Sequence, residues 1–334
     1  MNNSIAEKLK PVANLIRQRP ILVIFEVCLR CNSECGYCDL PLNQGREELA
    51  REQILQIFSE LYREGLRVVF LQGGEPTLRN DLIDIIADLH EIGFYQTLIT
   101  NGSRLSQKFI DQLVHYPVSV SISLDTLNRE RYRQIRGRDR LSQVLGGIDR
   151  LNNYPHPKYI TCIVSDVNRN DVMAVIDFAN ERQFVPVVGA YHWDVDRYGK
   201  ADIHLQYQKE VAKQVFAAVY QSGKIPEGYF QHYVRDNVEW LSDNSLPACD
   251  AGRYSIVIDA SGNVAPCLAL PHQGNLLSSS LSEILDNFDR ESIAECSHQS
   301  SCNMLCSRVI GSCLRNPIQS LKTGLSIKQL SKQR

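Results

Sequence analysis

Three cysteines, Cys31, Cys35 and Cys38, fall within one short stretch, CNSECGYC, and a fourth, Cys28, lies just upstream in CLRC. Thiols this close form disulfides or hold a soft metal. The chain has 334 residues and eleven cysteines, an odd number, and its N-terminus shows no export signal. Disulfides are disfavoured in that setting, and clustered cysteines then read as metal ligands. A structural zinc wants four ligands, usually from two C-x2-C knuckles far apart in sequence. Here all four would crowd one loop. The C-x3-C-x2-C spacing instead suits a [4Fe–4S] cube with three irons held by protein and one open. An open iron can bind a substrate or a cofactor. Cys28 closes an apolar run and is expected to pack as a strand residue.

Six further cysteines, Cys249, Cys267, Cys296, Cys302, Cys306 and Cys313, gather near the other end. Four of them could hold a structural zinc, and all six exceed what one zinc needs. Cys162 stands alone in the apolar run YITCIV, where a buried strand thiol is the expected identity.

The elements that must position these groups can be read from periodicity. ILVIFEV, RVVFLQ, FYQTLIT, VSVSISL, KYITCIV and FVPVVGAY read as strands. Each is followed by a helical pattern, such as Ile54, Ile57, Phe58 and Leu61 after the first. Six strand-then-helix units predict an α/β fold, a partial (β/α)6 TIM-like barrel, and apolar strands predict a sheet covered on both faces. Ligands of such sheets sit beyond the carboxyl ends of the strands. The Cys31–Cys38 run follows the first strand, GGEPT the second, TNGS the third, LDT the fourth and GAYHWDVD the sixth. All the unusual residues therefore share one rim.

Residues 1–20 read as an N-terminal helix and 21–222 as the barrel. Residues 223–245 read as a helical linker, 246–315 as a small cysteine-rich C-terminal domain and 316–334 as a loose tail. Within the small domain, YSIVIDASGNVAPCLAL predicts a hairpin turning at Ser261-Gly262-Asn263. Residues 294–315 show little periodicity. A unit so poor in core needs a metal staple.

CNSECGYC resembles the signature of the radical S-adenosylmethionine enzymes, with Tyr37 at its aromatic position. Gly73, Gly74, Glu75 and Pro76 resemble the family's GGEP motif, and Asn101 follows the third strand on the same rim. Ser123 and Asp125 sit where the family places ribose-binding polar groups. Arg136 resembles an arginine that meets the cofactor carboxylate, and Asn168 a polar residue after the fifth strand. Relatives often carry Thr at the position of Cys28. The resemblance implies that the open iron chelates the methionine end of S-adenosylmethionine, with Glu75 pairing with its ammonium and the glycines giving its backbone room. One electron from a strongly reducing cluster, whose class reaches about −700 mV, then yields a 5′-deoxyadenosyl radical that abstracts hydrogen from a C–H bond.

Gly262-x4-Cys267 followed by C-x5-C-x3-C resembles the SPASM extension of that family, or its shorter twitch relative. This implies one or two auxiliary iron–sulfur clusters. In the complete pattern Cys249, Cys267 and Cys306 share one cluster and Cys296, Cys302 and Cys313 the other. Each set is one cysteine short here. Either a non-cysteine group such as Asp243 completes them, or the cysteines regroup around one cluster.

The composition is 43% hydrophobic and 22% charged, with a net charge of −2. Nothing in that balance favours nucleic acid or an anionic membrane. No apolar run is long enough to span a bilayer, and a cytoplasmic location is expected. The resemblance implies a flavodoxin- or ferredoxin-like electron donor as partner and a peptide or a small molecule as substrate. Modification of a peptide or protein by crosslinking, epimerisation or oxidation is the leading expectation. Oxidation or rearrangement of a small metabolite or lipid precursor is the alternative, and a non-catalytic, metal-stapled binding or redox-sensing protein the reading from another class. Tyr191, His192 and Asp194, in the loop after the sixth strand, are the candidate substrate-facing residues.

Overall fold

The computed structural model describes residues 5–40, 45–193 and 202–330. After helix α1 (Ile5–Arg17) the chain alternates through β1 (Leu22–Cys28), α2 (Arg51–Arg63), β2 (Val68–Gly73), α3 (Leu82–Ile92), β3 (Tyr95–Thr100), α4 (Gln107–Leu113) and β4 (Val118–Ser123). Two helices, α5 (Arg129–Arg136) and α6 (Leu141–Arg150), precede β5 (Lys158–Val164). Then come α7 (Val172–Glu181), β6 (Val185–Ala190), α8 (Lys209–Gln221) and α9 (Tyr229–Leu241). The C-terminal part holds β7 (Ser255–Ile258), β8 (Val264–Ala265), α10 (Leu281–Asp286), α11 (Arg290–Gln299), α12 (Val309–Arg315) and α13 (Pro317–Leu330). No helix among the described residues is long and apolar enough to cross a membrane.

Strands β1 to β6 are parallel and adjacent in sequence order, as successive βα units require. The predicted helix faces are the buried ones: Ile54, Ile57, Phe58 and Leu61 on α2, and Leu82, Ile85, Ile86 and Leu89 on α3. Phe58 meets Phe25 of β1 at 5.1 Å between ring centres. The hairpin of β7 and β8 is antiparallel and turns through Gly262 at φ +85°. It does not stand apart from the barrel. β7 pairs in parallel with β1, Leu22 opposite Ser255 and Ile24 opposite Val257, so one eight-stranded sheet carries both cysteine groups.

One expectation is corrected by the strands themselves. β1 and β6 are buried at every position, but β2 to β5 are not buried alike on both faces. Val69, Leu71, Leu98, Val120, Ile122, Ile160 and Cys162 are buried on the helix side. On the other face Phe70, Gln72, Thr97, Ile99, Ser119, Ser123, Tyr159 and Thr161 are half-buried. The register lines these up, Phe70 opposite Thr97, Thr97 opposite Ser119, and Ser123 opposite Thr161. Period-two alternation with a partly open inner face describes a lumen rather than a filled core. At its lower end Ile24, Val257, Ala265 and Leu268 form a small apolar cluster, with Phe70, Met304 and Cys306 packed against it. The C-terminal segment thus closes the base of the lumen, and the Cys31–Cys38 loop lies at the top. β1, seven residues at about 3.3 Å each, separates them.

Two further differences have local causes. The tail expected to be loose runs as α13, with Pro317 at its first position, where its missing N–H costs nothing. The Thr323 hydroxyl, donating to the Gln319 carbonyl at 2.8 Å and to Glu227, ties it to the loop before α9. In the segment without periodicity, α11 starts at the Asp289 cap, whose carboxylate accepts from Ser292 N at 3.0 Å. Capping rather than an apolar stripe marks this helix.

The α5 helix is the element that fixes the rim. Asn128 caps it, accepting from the amides of Glu130 and Arg131 at 3.0 Å each, and Gly137 ends it at φ +70°. The last carbonyls of α5 accept from the cysteine loop, Arg136 O from Glu34 N and Ile135 O from Gly36 N, both at 3.0 Å. A Cβ on Gly137 would collide with the Glu34 carbonyl. We expect Gly137→Ala to cost about 2 kcal/mol more than Gly223→Ala, read as the difference in unfolding free energy in urea. Gly223 shares the positive φ, at +65°, and has open space around it. Equal costs at the two glycines would contradict this packing.

Candidate active site

The cysteine loop is clamped from its other side by the turn after β2. Gly74 N donates to Cys28 O and Glu75 N to Arg30 O, each at 2.8 Å. Gly73 lies at φ +131°, and a Cβ there would strike the Cys28 carbonyl; on Gly74 it would strike that of Arg30. The two glycines therefore admit the start of the cysteine loop itself. Cys28 is fully buried, and its thiol donates to the Glu75 carbonyl at 3.3 Å, a role a threonine hydroxyl would also fill. Burial pushes that thiol up to about 12.

Glu75 is fully buried. Its carboxylate accepts from Thr77 N at 3.1 Å, the Thr77 hydroxyl at 2.5 Å, the Thr100 hydroxyl at 2.6 Å and Asn101 N at 2.7 Å. These donors, on the turn after β2 and at the end of β3, occupy the group that sequence reasoning aimed at an ammonium. Pro76 starts the single 3₁₀ turn that Glu75 caps. Asn101 in turn donates to the Asn32 side chain at 2.7 Å, and Asn32 donates to the Ser103 hydroxyl at 2.9 Å. The three rim loops form one hydrogen-bonded unit. Asn32 lies inside the cysteine motif, where nothing in the local spacing marks it as a hydrogen-bonding partner of the third strand's loop.

Asp125 and Arg136 are brought together. Both are buried, and Arg136 Nη2 lies 2.6 Å from Asp125 Oδ2. Asp125 Oδ1 also accepts from Ile163 N at 2.9 Å. Arg136 Nη1 reaches to 3.9 Å from Cys35 Sγ, and its guanidinium stands 5.5 Å from the centre of the Tyr37 ring. Ser123, at the end of β4, faces the lumen. Asn168 is buried, donating to Asp125 O at 2.8 Å and Ile163 O at 2.9 Å, and so joins the ends of β4 and β5.

The loop after β6 divides. Tyr191 is buried, with its ring 5.9 Å from Tyr37 and 5.7 Å from Trp193, and belongs to the rim wall. His192 turns instead onto Trp240 of α9, at 4.8 Å. Its Nε2 is shielded from solvent, and burial pushes its pKa down to about 4. That imidazole is a neutral packing group at physiological pH, against the expectation of a substrate-facing role. Asp194 lies outside the described residues.

Do the thiols fit a cluster? In the first group, Cys31 is pushed up to about 11 and Cys38 to about 12, burial being the main cause in each case and the nearby Cys35 charge a further one. Three thiols on one short loop, with Cys31 and Cys38 too dry to ionise alone, suit a cationic cluster core that displaces protons. In the second group, burial raises Cys302 and the Cys249 charge raises it further. Both feel Cys296, and both act on Cys267 and Cys306. Five thiols therefore share one basin. Burial pushes Cys302 up to about 11 and Cys306 to about 12. Cys313 stands apart on α12, beside Ser320, Asp250 and Arg315. Asp243 is exposed and paired with Lys209 at 2.5 Å, away from any ligand role. The spacing of the six cysteines could not show this regrouping, because it depends on how α11 and α12 fold back on the segment before β7.

Comparison with known proteins agrees with the geometry. The Radical SAM superfamily matches residues 25–179, and SPASM, an iron–sulfur cluster-binding domain, matches residues 249–313. A GTP 3′,8-cyclase of Aliarcobacter butzleri is 34% identical over 260 residues, covering 72% of this chain and 77% of that protein. A probable GTP 3′,8-cyclase of Archaeoglobus fulgidus is 35% identical over 159 residues, 46% of this chain and 53% of the relative. The chain thus spans about half the length of the archaeal relative. Among solved structures, SuiB of Streptococcus suis bound to its precursor peptide SuiA superposes with a TM-score of 0.69 at 18% identity, covering 95% of this chain and 79% of that one. An anSMEcpe structure with bound AdoMet gives 0.65 at 17% identity and 83% of each chain. Both show the same fold. The two domain matches imply S-adenosylmethionine and [4Fe–4S] clusters, auxiliary iron–sulfur chemistry included. The chain belongs to the radical SAM superfamily, as a radical SAM enzyme with a C-terminal SPASM domain.

Proposed function

We propose that this enzyme abstracts hydrogen from a C–H bond of a peptide or protein substrate held in the lumen. The observation that carries this reading is the character of the inner wall. Among the described residues, the inward strand positions of β1 to β6 carry hydroxyls, an amide and apolar groups, and no lysine or arginine. The Ser121 and Thr161 hydroxyls are bonded to each other at 2.8 Å. The one charged inward residue, Glu26, is acidic. A wall without cations complements a neutral or basic side chain and disfavours a triphosphate.

Cys31, Cys35 and Cys38 would hold the cluster that binds S-adenosylmethionine, and together these groups would supply hydrogen-abstracting radical chemistry with electrons from a flavodoxin- or ferredoxin-like donor. The residues of the chain do the rest. Tyr37 and Tyr191 wall the rim, and Ser123 offers a hydroxyl to the cofactor's ribose edge. Arg136, locked by Asp125, holds its charge beside the Cys35 sulfur. At the base, Cys306 packs against the apolar cluster that includes Ile24, and an auxiliary cluster held there would supply an electron acceptor on the lumen's far side. A second reading, reaction on a guanosine nucleotide, is favoured by the sequence relatives named as GTP 3′,8-cyclases.

Deuterium labelling separates the two. Under anaerobic reduction with S-adenosylmethionine, a perdeuterated peptide pool is expected to pass deuterium into 5′-deoxyadenosine, and ribose-deuterated GTP to pass none. The reverse pattern would give the substrate to the nucleotide reading. We also propose that the basin of Cys249, Cys267, Cys296, Cys302 and Cys306 holds a single auxiliary cluster. A variant with Cys31, Cys35 and Cys38 all changed to alanine should retain about four irons per chain, and adding Cys313→Ala should leave that number unchanged. About eight irons, or a loss of iron with Cys313, would overturn it.

A further inference from the structure

Arg308 follows Cys306 by two residues and is 4% exposed. Its guanidinium spans the cysteine basin. Nη1 donates to the Pro247 carbonyl, just before Cys249, and Nη2 donates to the Cys302 carbonyl at 3.1 Å. The Cys249 sulfur lies 3.3 Å from the carbonyl of Ser307, the residue preceding Arg308. Nε has no partner among the described residues. No carboxylate forms an ion pair with this side chain among them either. The buried acid Asp250 feels the Arg308 charge from a distance but forms no ion pair with it, spending its oxygens on the amides of Ile310 at 2.8 Å and Gly311 at 3.0 Å.

A buried guanidinium with no carboxylate in contact is poorly compensated. Two carbonyls satisfy part of its hydrogen bonding and none of its charge. What the basin does contain is five thiols. Four thiolates around a cubane core leave a net negative charge, which grows by one on reduction. Such a cluster would be the missing anion. The Arg308 charge already opposes the burial of Cys249 and Cys302, which fits its placement between them.

We propose that Arg308 is the fixed counter-charge of the auxiliary cluster and holds its reduction potential up, making it an electron acceptor. The inference rests on the reading that the basin holds a cluster, and the test keeps the two apart. In the full chain carrying the Cys31, Cys35 and Cys38 alanine substitutions, the auxiliary site is the one iron centre left to titrate. Arg308→Gln removes the charge and keeps an amide donor, and Arg308→Lys keeps the charge. Iron content and the reduced fraction, from electron paramagnetic resonance at fixed potentials, are measured for each.

With iron retained, Arg308→Gln is expected to lower the reduced-to-oxidised ratio about tenfold at a given potential, a shift of about 59 mV for one electron. Arg308→Lys should stay within about twofold of the parent on the same scale. Loss of iron in the glutamine variant with retention in the lysine variant also supports the proposal, since it shows that the charge is required. The proposal is overturned if the glutamine variant keeps both iron and potential. It is overturned as well if lysine and glutamine shift the potential equally, or if both lose iron, because the fork geometry and not the charge would then be what counts. If the parent itself holds no iron, the reading of the basin fails, independently of Arg308.

Discussion

Four backbone hydrogen bonds hold the Cys31–Cys38 loop, two from the turn after β2 and two to the end of α5. The donors and acceptors are main-chain groups on elements already fixed by the sheet. The thiols are therefore placed before any metal arrives, and little ordering cost is left to the binding step. The glycines follow from the same constraint. Gly73, Gly74 and Gly137 stand where a Cβ would strike a carbonyl of the loop or of the strand that feeds it. Glu75 extends the clamp to β3 through Thr100 and Asn101, and Asn32 returns it to the motif.

The lumen depends on this clamp and on one further pairing. β7 adds to β1 in parallel, which carries the cysteine-rich segment under the barrel and sets Met304 and Cys306 against Ile24. Two cysteine centres then face one another across a wall of hydroxyls. Burial acts alike on both. It keeps solitary thiols protonated and makes a cationic core the natural occupant. The compensating charges differ. At the rim, Arg136 is neutralised by Asp125 and lends only part of its field to Cys35. At the base, Arg308 has no carboxylate of its own among the described residues. The same side-chain type thus leaves the two cysteine groups in different electrostatic surroundings.

Much of this was legible in the sequence, for identifiable reasons. Strand and helix periods gave the six βα units, since Ile54, Ile57, Phe58 and Leu61 can share a helix face in only one way. The spacing of Cys31, Cys35 and Cys38 is local, and local spacing survives folding. What escaped was tertiary. The α5 helix, RERYRQIR, is nearly all polar, and only its Asn128 cap and Gly137 stop betray it. Glu75 and Asp125 look like free carboxylates in the sequence, yet each has buried partners from elsewhere in the fold, Thr100 and Asn101 for Glu75 and Arg136 and Ile163 N for Asp125. The six C-terminal cysteines suggested three and three. The fold gathers five and leaves Cys313 behind, because the segment from α11 to α12 turns back on Cys249.

The central claim is that the clamped thiols hold a cluster whose open iron presents S-adenosylmethionine to the lumen. The most direct measurement is 5′-deoxyadenosine released when the anaerobically reconstituted protein is reduced with dithionite in the presence of S-adenosylmethionine. The account predicts 5′-deoxyadenosine from the intact chain. It predicts none when Cys31, Cys35 and Cys38 are alanine, although auxiliary iron is still bound. Equal release from the two proteins, or none from an intact chain loaded with iron at both centres, would contradict it.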